Sequence, residues 1–524
     1  MSIAGNRATE IEINRVANNE SRPTSTFLEY FCGMNSLESK VVTATKWSAL
    51  TEIASKLISP IAGMILARLL TPEAYGAVAT TTIIISFAEL FTDAGFQKYI
   101  IQHDFADDDD RNKSINVAFW TNLVMSLIIW GIIIAFRYPI ASLVGSPGLE
   151  TAIVVACAAI PIAAFSSFQK ASFRRNLNFK MPFITKMVSL GLTFFVTIPL
   201  AIWFRSYWAL IISQILSGVF SAVFYGINSD WKPSFYYDFK VLRKMFSFCS
   251  WVFIDRILSW TNNYLDVFIV GKKFDQHTLG IYKTSIGRAT NMLGVISKSF
   301  IPILLPTFSK LQDDFAQLRN TILKLQKHLS ILVLPIGFTI FLYSDVITRI
   351  YLGSQWTEAA PLIGLWGLIQ TFYLVINQFC SNTYTAINKP HISVTISSLV
   401  FFVTIPAILI SSKYGFQTMF IVRAIVKLWQ LLLHLIAIYI LIRLSPLKII
   451  GNILPELIGC GIMTAITYSL SSICNSAILQ LASMAICFVA YFCFIFTIKN
   501  EREIIKHIWQ HTVKSVIGNN TGKL

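Results

Sequence analysis

The stretch Ile115-Asn-Val-Ala-Phe-Trp-Thr-Asn-Leu-Val-Met-Ser-Leu-Ile-Ile-Trp-Gly-Ile-Ile-Ile-Ala-Phe136 decides the fold class of this chain. It contains no Asp, Glu, Lys or Arg, and an α-helix of this length can cross the ~30 Å hydrocarbon core of a bilayer. A strand of a membrane barrel would instead be about ten residues long and would alternate polar and apolar side chains. The stretch therefore predicts a transmembrane α-helix.

Apolar runs of this kind recur along the whole chain of 524 residues. They predict about fourteen spans. Their limits are 47–69, 75–98, 115–136, 149–170, 182–204, 207–228, 248–270, 279–305, 328–350, 358–385, 391–411, 416–441, 449–470 and 477–498. The predicted fold class is an all-α polytopic membrane protein.

Composition and charge agree with this fold class. Hydrophobic residues make up 54% of the chain and charged residues 13%, whereas about a quarter of a soluble protein is charged, so a soluble enzyme is excluded. The basic residues behind the net charge of +16 lie between the apolar runs, and we therefore expect no nucleic-acid partner. About 18 Lys and Arg lie in the even-numbered connections and about 7 in the odd ones, which predicts that both termini are cytoplasmic.

The sequence divides into six parts. These are a polar N-terminal cytoplasmic leader (1–45), an N-terminal six-helix lobe (46–228), a cytoplasmic linker (229–247), a C-terminal six-helix lobe (248–443), an extra pair of helices 13 and 14 (444–499) and a cytoplasmic tail (500–524). A faint internal echo favours two lobes related by pseudo-two-fold symmetry. Trp47 with segment 68–76 recurs 204 positions later as Trp251 with segment 272–280.

Basic residues inside the predicted spans indicate a hydrated interior between the lobes. A charge at the centre of a bilayer costs roughly 3 kcal/mol, so several such residues facing lipid would exceed the stability of a typical fold. On predicted helices 8 and 12 they belong to polar stripes with helical spacing. Because a cationic wall attracts a pyrophosphate, the predicted substrate contacts are Lys56, Arg256, Arg288, Lys298, Arg423 and Lys427.

Two further groups of polar residues lie on stripes of predicted helices 1, 2, 8 and 10. Tyrosine and amide side chains suit sugars, whose ring faces stack and whose hydroxyls hydrogen-bond. The sugar-contacting candidates are Asn291, Gln370, Tyr373, Asn377 and Tyr384, and the coupling-ion candidates are Glu52, Glu89 and Asp93. Helix packing and local ion pairing, such as Glu52 with Lys56, remain open alternatives.

Other functional classes find little support in the sequence. The eight cysteines lack CxxC spacing, and His507 and His511 lack the glutamate of a zinc-binding helix, so we expect neither a metal nor a cofactor. There is no P-loop and no nucleophile elbow, which argues against an ATP-driven pump and offers no support for hydrolysis.

Two segments carry a family resemblance. The first is Ile65-Leu-Ala-Arg-Leu-Leu-Thr-Pro-Glu-Ala-Tyr-Gly76, followed by Phe91-Thr-Asp-Ala-Gly-Phe-Gln97, and the second is Pro302-Ile-Leu-Leu-Pro-Thr-Phe-Ser-Lys-Leu-Gln-Asp-Asp314. They resemble the opening and the signature after helix 8 of bacterial Wzx-type polysaccharide repeat-unit flippases. With the helix count, the resemblance covers about residues 45–500.

The resemblance implies a member of the multidrug/oligosaccharidyl-lipid/polysaccharide superfamily, with two six-helix lobes that rock around a central cavity in the bacterial inner membrane. It implies a non-enzymatic flippase that moves undecaprenyl-pyrophosphate-linked oligosaccharides to the periplasmic leaflet by alternating access, for O-antigen, capsule or exopolysaccharide assembly. Helices 13 and 14 resemble the extra pair of the peptidoglycan-lipid flippases. The expected partners are this substrate, membrane lipids, a polysaccharide polymerase and a chain-length regulator.

Two rival functions stay open at this point. A cation-coupled multidrug antiporter of the same superfamily would prefer cationic substrates and therefore an acidic cavity. An integral-membrane polysaccharide polymerase or ligase would normally present a large periplasmic catalytic loop, whereas the odd connections here are no longer than roughly a dozen residues.

Overall fold

The computed structural model describes residues 24–93, 95–103, 105–389, 391–471, 476–499 and 501–503. It describes side chains in these ranges except at positions 24–42, 247, 248, 251, 255 and 295–303. Most of the predicted leader and tail lie outside the described residues. So does the side chain of Lys298, although its backbone belongs to a helix.

The described residues form an all-α protein without strands, as the sequence predicts. The helices up to the linker are α1 Thr24–Leu69, α2 Pro72–Asp93, α3 Phe96–Gln102, α4 Asp108–Ala135, α5 Arg137–Leu143, α6 Glu150–Cys157, α7 Ala159–Arg175, α8 Lys180–Leu192, α9 Ile198–Phe204 and α10 Trp208–Asn228. A π-helical turn, Thr193–Thr197, joins α8 to α9.

The second half contains ten helices in the described ranges. They are α11 Phe239–Lys273, α12 Gln276–Ser309, α13 Phe315–Leu342, α14 Ser344–Tyr351, α15 Ala360–Ala386, α16 His391–Ser411, α17 Phe416–Ile442, α18 Pro446–Asn452, α19 Leu454–Leu470 and α20 Ala477–Thr497. Short 3₁₀ segments, Ser354–Ala359 and Ser412–Tyr414, precede α15 and α17.

The chain is a multi-pass membrane protein. Among the described residues, eleven helical segments are long and apolar enough to span a membrane, and α18 with α19, bent by 50°, would make twelve. The long helices α11 and α12 are not among them, and they carry Arg256, Asp266, Lys283 and Arg288. A charged helix can still cross a bilayer when its polar face lies inside the protein. The count of fourteen spans stays a prediction.

Several helix ends differ from their predicted positions. The predicted span 75–98 is divided, because α2 ends at Asp93 and Gly95 adopts a φ of 96°, a left-handed conformation that ends a helix. The predicted span 328–350 begins earlier, because the Asp314 carboxylate accepts hydrogen bonds from the first amides of α13. Asp238 caps α11 in the same way, so residues 239–247 of the predicted linker are helical.

The two predicted lobes, 46–228 and 248–443, meet where the N-terminal halves of α2 and α12 cross. A Cβ at Gly280 would overlap the Pro72 carbonyl oxygen, and a Cβ at Gly76 would overlap the Gln276 carbonyl oxygen. Gly76 and Gly280, like Pro72 and Gln276, are separated by the 204 positions of the internal echo. The contact is therefore reciprocal, as expected at a two-fold axis.

Further contacts close the same end of the molecule. Arg68 donates from Nη2 to the Ile350 carbonyl oxygen at 2.7 Å, and the Trp356 indole donates to the Ala67 carbonyl oxygen at 2.8 Å. Gln355 also donates to the Ala67 oxygen, at 2.5 Å. We call this end the outer end, because the predicted orientation places its connections in the periplasm.

The C-terminal helices α19 and α20 pack on each other and on α13. Lys327 of α13 donates from Nζ to Glu456 of α19 at 3.1 Å, to Glu501 at 2.6 Å and to the Asn452 carbonyl oxygen at 2.6 Å. Both carboxylates are buried. This buried ion triad fastens the C-terminal segment to the second lobe.

We expect Lys327→Met to lower the free energy of unfolding by about 3 kcal/mol, because it leaves two buried carboxylates unpaired. The loss of stability does not exceed this value, because one of the two carboxyl groups can take up a proton and become neutral. Thermal unfolding in detergent measures the change. Lys324→Met on the exposed side of the same helix is the control, and equal stability of the two variants would contradict a structural role for the triad.

Candidate functional site

A cavity of about 610 Å³ opens in the second lobe, between α11, α12, α15, α16 and α17. Its polar wall is formed by side chains at helical spacing, so each helix presents one face. The polar and aromatic lining residues include Ser259, Asn262, Asn263, Tyr264, Asp266, Lys283, Thr290, Asn291, Trp366, Gln370, Tyr373, Ser397, Thr404, Arg423, Lys427 and Gln430. Amides, hydroxyls, aromatic rings and charges thus converge on one space.

Arg423 of α17 is held by a carboxylate of α11. Its Nε donates to Asp266 Oδ2 at 3.0 Å, and the Tyr282 hydroxyl donates to the same oxygen at 2.8 Å. The side chains of Arg423 and Asp266 are only 12% and 7% exposed. The guanidinium of Arg423 is therefore already paired with a carboxylate, which the sequence does not predict.

Two lysines of the cavity face aromatic rings instead of carboxylates. Lys427 Nζ lies 3.9 Å from the centre of the Tyr373 ring and 5.6 Å from that of Trp366, and Lys283 Nζ lies 4.7 Å from the Tyr264 ring centre. Among the described residues, no carboxylate lies within 4 Å of either ammonium group. An aromatic face attracts a cation without neutralising it. By formal charge, the described lining, with Lys283, Arg423 and Lys427 against Asp266, is therefore net positive.

A second cavity, of about 440 Å³, lies on the side of the first lobe. It contains Glu89, Asp93 and Arg256, and it shares the α11 residues Ser259, Asn263 and Tyr264 with the larger cavity. The two spaces therefore adjoin along one helix.

The two acidic residues of this smaller cavity have different environments. Arg256 Nη2 lies 2.5 Å from Asp93 Oδ2, and the Gln97 amide donates to the other oxygen of Asp93. Glu89 forms no ion pair among the described residues and is exposed to the cavity. Of these two residues, Glu89 is thus the one whose carboxylate is not already in an ion pair with a described residue.

The remaining predicted cations lie elsewhere. Arg288 lies at the joint between the lobes, where its guanidinium faces the Tyr351 ring at 5.5 Å and packs against Gly63 of α1. Lys56 lies 3.8 Å from Glu52, one turn away on α1. We expected these residues to line the central cavity, but neither cation lines the two cavities described above.

The predicted sugar contacts divide into two groups. Asn291, Gln370 and Tyr373 line the larger cavity. Tyr384 does not, because its ring is fully buried and its hydroxyl donates to the His434 carbonyl oxygen at 3.1 Å. Asn377 is also buried and lies outside the cavity lining. The structure thus brings three of the five predicted residues together at this cavity and places Tyr384 and Asn377 outside its lining.

Sequence reasoning missed three contributors to the site. Lys283 and Trp366 were not selected, and Asp266 was not recognised as the partner of Arg423. The spacing of Lys283, four residues before Gly287 and eight before Asn291, would have placed it on the polar stripe of α12. No sequence signal pairs Asp266 with Arg423, because 157 positions separate them.

The sequence profile of a family described as polysaccharide biosynthesis protein matches residues 65–361, which is more than half of the chain. The matched region includes α2 and the crossing of the lobes. It also includes all of α11, which lines both cavities, and all of α12, which lines the larger one.

Two curated relatives are each 21% identical to the chain over part of its length. The succinoglycan biosynthesis transport protein ExoT of Rhizobium meliloti is 21% identical over 62% of this chain, and the alignment covers 64% of ExoT, slightly less than two thirds of its length. The lipopolysaccharide biosynthesis protein WzxC of Escherichia coli K12 is 21% identical over 72% of this chain and 76% of its own length.

Solved structures include one with the same fold. The lipid II flippase MurJ in an inward closed conformation superposes with a TM-score of 0.66 at 15% sequence identity. The superposition covers 87% of this chain and 99% of the other. At this identity the likeness concerns the fold.

Proposed function

Because the chain belongs to the polysaccharide biosynthesis protein family, whose profile matches more than half of it, we propose that it is a flippase for lipid-linked oligosaccharides. The lipid is undecaprenyl pyrophosphate, and the sugar moves from the cytoplasmic to the periplasmic leaflet for O-antigen, capsule or exopolysaccharide assembly. The protein lies in the bacterial inner membrane with both termini in the cytoplasm. The relatives named as succinoglycan transport and lipopolysaccharide biosynthesis proteins support this assignment.

The observation that carries the proposal is the larger cavity, where two uncompensated lysines stand among aromatic rings and amides. A diphosphate loses most of its hydration when it enters such a space, and the Lys283 and Lys427 ammonium groups replace the lost water. Arg423 adds a positive charge that is already paired with Asp266. Arg256 is a weaker candidate than the sequence predicts, since Asp93 already holds it.

The sugar would lie against the uncharged part of the same wall. Tyr373 and Trp366 offer ring faces for stacking, and Asn291 and Gln370 offer donors and acceptors for hydroxyl groups. The polyprenyl chain would remain in lipid, because the cavity is too small and too polar for it. This division of the substrate accounts for the mixed chemistry of the lining residues.

Transport would proceed by alternating access. The outer end is closed by the α2–α12 crossing and by the hydrogen bonds of Arg68 and Trp356. The substrate would enter from the cytoplasmic leaflet in this state, and separation of the lobes at the outer end would release it. Glu89 is the favoured coupling-ion candidate, since Asp93 and Glu52 each face a cation. Polymerase and chain-length regulator partners stay predictions.

We expect Lys283→Gln and Lys427→Gln each to lower the rate of leaflet exchange about tenfold, because each removes one charge-assisted contact to the diphosphate worth roughly 1.5 kcal/mol. The measurement is a reconstituted leaflet-exchange assay with a fluorescent lipid-linked oligosaccharide. Lys413→Gln in the exposed connection before α17 is the matched control.

Wild-type rates in both cavity variants, at equal protein levels, would exclude the lysines from substrate binding. Efflux of a labelled cationic drug by the same proteoliposomes, without exchange of the lipid-linked oligosaccharide, would instead favour the multidrug antiporter. Formation of polymer from lipid-linked units would favour the polymerase.

A further inference from the structure

A histidine bridges the two lobes at the outer end. His277, in the first turn of α12, has Nδ1 2.5 Å from Glu73 Oε1 and Nε2 3.2 Å from Glu358 Oε2. Glu73 lies in the first turn of α2, in the first lobe, whereas Glu358 lies in the 3₁₀ segment before α15. The imidazole thus connects three elements across the joint.

Both contacts are satisfied only in one protonation state. A neutral imidazole carries one N–H, so one of its nitrogens would face a carboxylate oxygen as a second acceptor. The imidazolium carries two N–H groups and can donate to both carboxylates. The geometry of the bridge therefore matches protonated His277.

The bridge lies beside the α2–α12 crossing. Gly76 and Gly280, which meet at the α2–α12 crossing, each lie three residues beyond Glu73 and His277, and these two residues are themselves separated by the 204-residue repeat. When the outer end opens, the first turns of α2 and α12 must separate. Opening therefore breaks the contact between His277 and Glu73.

Several charged groups set the proton affinity of this bridge. Partial burial disfavours the imidazolium, but the hydrogen bonds and charges of Glu73 and Glu358 outweigh it and raise the pKa of His277. Asp275, the N-cap of α12, also interacts with the imidazole, while Lys272 and Lys273 end the adjacent α11. The His277 side chain is 32% exposed, so protons reach it from the outer solution.

We infer that His277 is a proton-binding site that holds the outer end closed while it is protonated. The inference rests on the proposed function for its role in transport but not for its structural basis. Since the pKa of the histidine is raised in the closed state, the stabilisation is complete below about pH 6.5, the value of a free histidine, and is lost as the pH rises through the raised value. External acid therefore slows the release of substrate, and its removal permits the outer end to open.

The test is a distance measurement between the lobes. Spin labels are placed through Tyr138→Cys and Tyr414→Cys, one exposed position at the outer end of each lobe. The native cysteines of this chain are replaced by serine. We expect the ratio of open to closed populations to rise about 3- to 10-fold between pH 5.5 and 8.5, as for a partly exposed ion pair. In His277→Gln the ratio should not change with pH.

Two further variants separate charge from shape. His277→Lys, which keeps a positive charge at all these pH values, should stay closed throughout the range. His328→Gln, at a histidine of α13 whose Nδ1 hydrogen-bonds to the Lys324 carbonyl oxygen of its own helix, should behave as the parent protein. A pH response that persists unchanged in His277→Gln, or its absence in the parent protein, would overturn the inference.

Transport supplies the second readout. With the internal pH held constant, external acidification should slow leaflet exchange several-fold in the parent protein and leave His277→Gln unaffected. A distance response without any leaflet exchange would retain the proton site and reject the flippase. Exchange that depends on Lys283 and Lys427 but not on external pH would retain the flippase and reject the proton site.

Discussion

Gly280→Leu is expected to reduce leaflet exchange to about 1% of the parent rate or less. A side chain at position 280 would occupy the space of the Pro72 carbonyl oxygen and would also press on the Gly76 amide. Neither backbone atom can move without displacing the first turn of α2. Overpacking of this kind costs about 1–3 kcal/mol for small additions, and leucine adds a large branched side chain at the tightest point. The outer end would therefore remain wedged open, and the lobes could not alternate.

The matched control is Gly131→Leu. Gly131 also lies inside a helix, α4, but a Cβ there would meet no atom within 4 Å. Both variants remove a helical glycine, so the difference between them reports the crossing and not helix propensity. Size-exclusion chromatography verifies folding, and the spin-label distances at the outer end report the wedge. Parent-like exchange in Gly280→Leu would show that the crossing is not part of the transport cycle.

The reciprocal position gives a sharper result. Gly76→Ala should also impair closure, because its Cβ would overlap the Gln276 carbonyl oxygen. Since Gly76 and Gly280 take part in the same contact, the double alanine variant should be less impaired than the sum of the two single effects. Additive effects would mean that the two glycines act independently.

Much of this architecture could be predicted because hydrophobic length is a local property. The 22 uncharged and mostly apolar residues from Ile115 to Phe136 require a helix across the bilayer wherever the rest of the chain lies. The side chains of Arg423, Lys427 and Gln430 likewise lie on one face of any straight helix. The structure places all three in the lining of one cavity. Local periodicity thus identified the wall of the site.

Partners across helices could not be predicted in the same way. Lys327, which the sequence places in a loop, pairs with two carboxylates more than 120 positions away. Tyr384 follows the polar spacing of its helix, yet its hydroxyl turns to the backbone of α17. Such outcomes depend on helix rotation and crossing angles, which hydropathy does not encode.

The glycine crossing illustrates the same distinction. The sequence contains the repeat of Gly76 as Gly280, and this echo predicted two related lobes. It did not predict that the two glycines touch, because repeated residues meet only when they lie near the symmetry axis. Their contact is a property of the assembled lobes.

Asp266→Ala is expected to lower the free energy of unfolding by about 5 kcal/mol, near the upper end for a broken buried ion pair. It leaves Arg423 buried without a counterion, and a guanidinium cannot release its proton to escape the cost. Lys327→Met leaves carboxylates, which can become neutral, and should therefore cost less. Leaflet exchange should fall in proportion to the loss of folded protein and below detection at 37 °C.

The double variant Asp266→Asn with Arg423→Gln separates charge balance from substrate binding. Removing both charges should restore stability to within about 1.5 kcal/mol of the parent protein, since a neutral pair avoids the desolvation of an uncompensated ion. Exchange should recover to within about fivefold of the parent rate if Lys283 and Lys427 carry most of the diphosphate binding. Thermal unfolding and the exchange assay measure the two quantities on one preparation.

An exposed ion pair provides the control for this cycle. Asp109 and Lys113 of α4 form an ion pair at 2.5 Å with side chains 71% and 45% exposed, and Asp109→Ala should leave the melting temperature close to that of the parent protein. If Asp266→Ala were as mild as Asp109→Ala, Arg423 would have to be hydrated or bound to another anion in the unliganded protein. In that case Arg423 would act with the two lysines as a direct substrate ligand. A large loss in Asp266→Ala that the double variant repairs would instead establish the pair as the frame on which the cationic cavity is built.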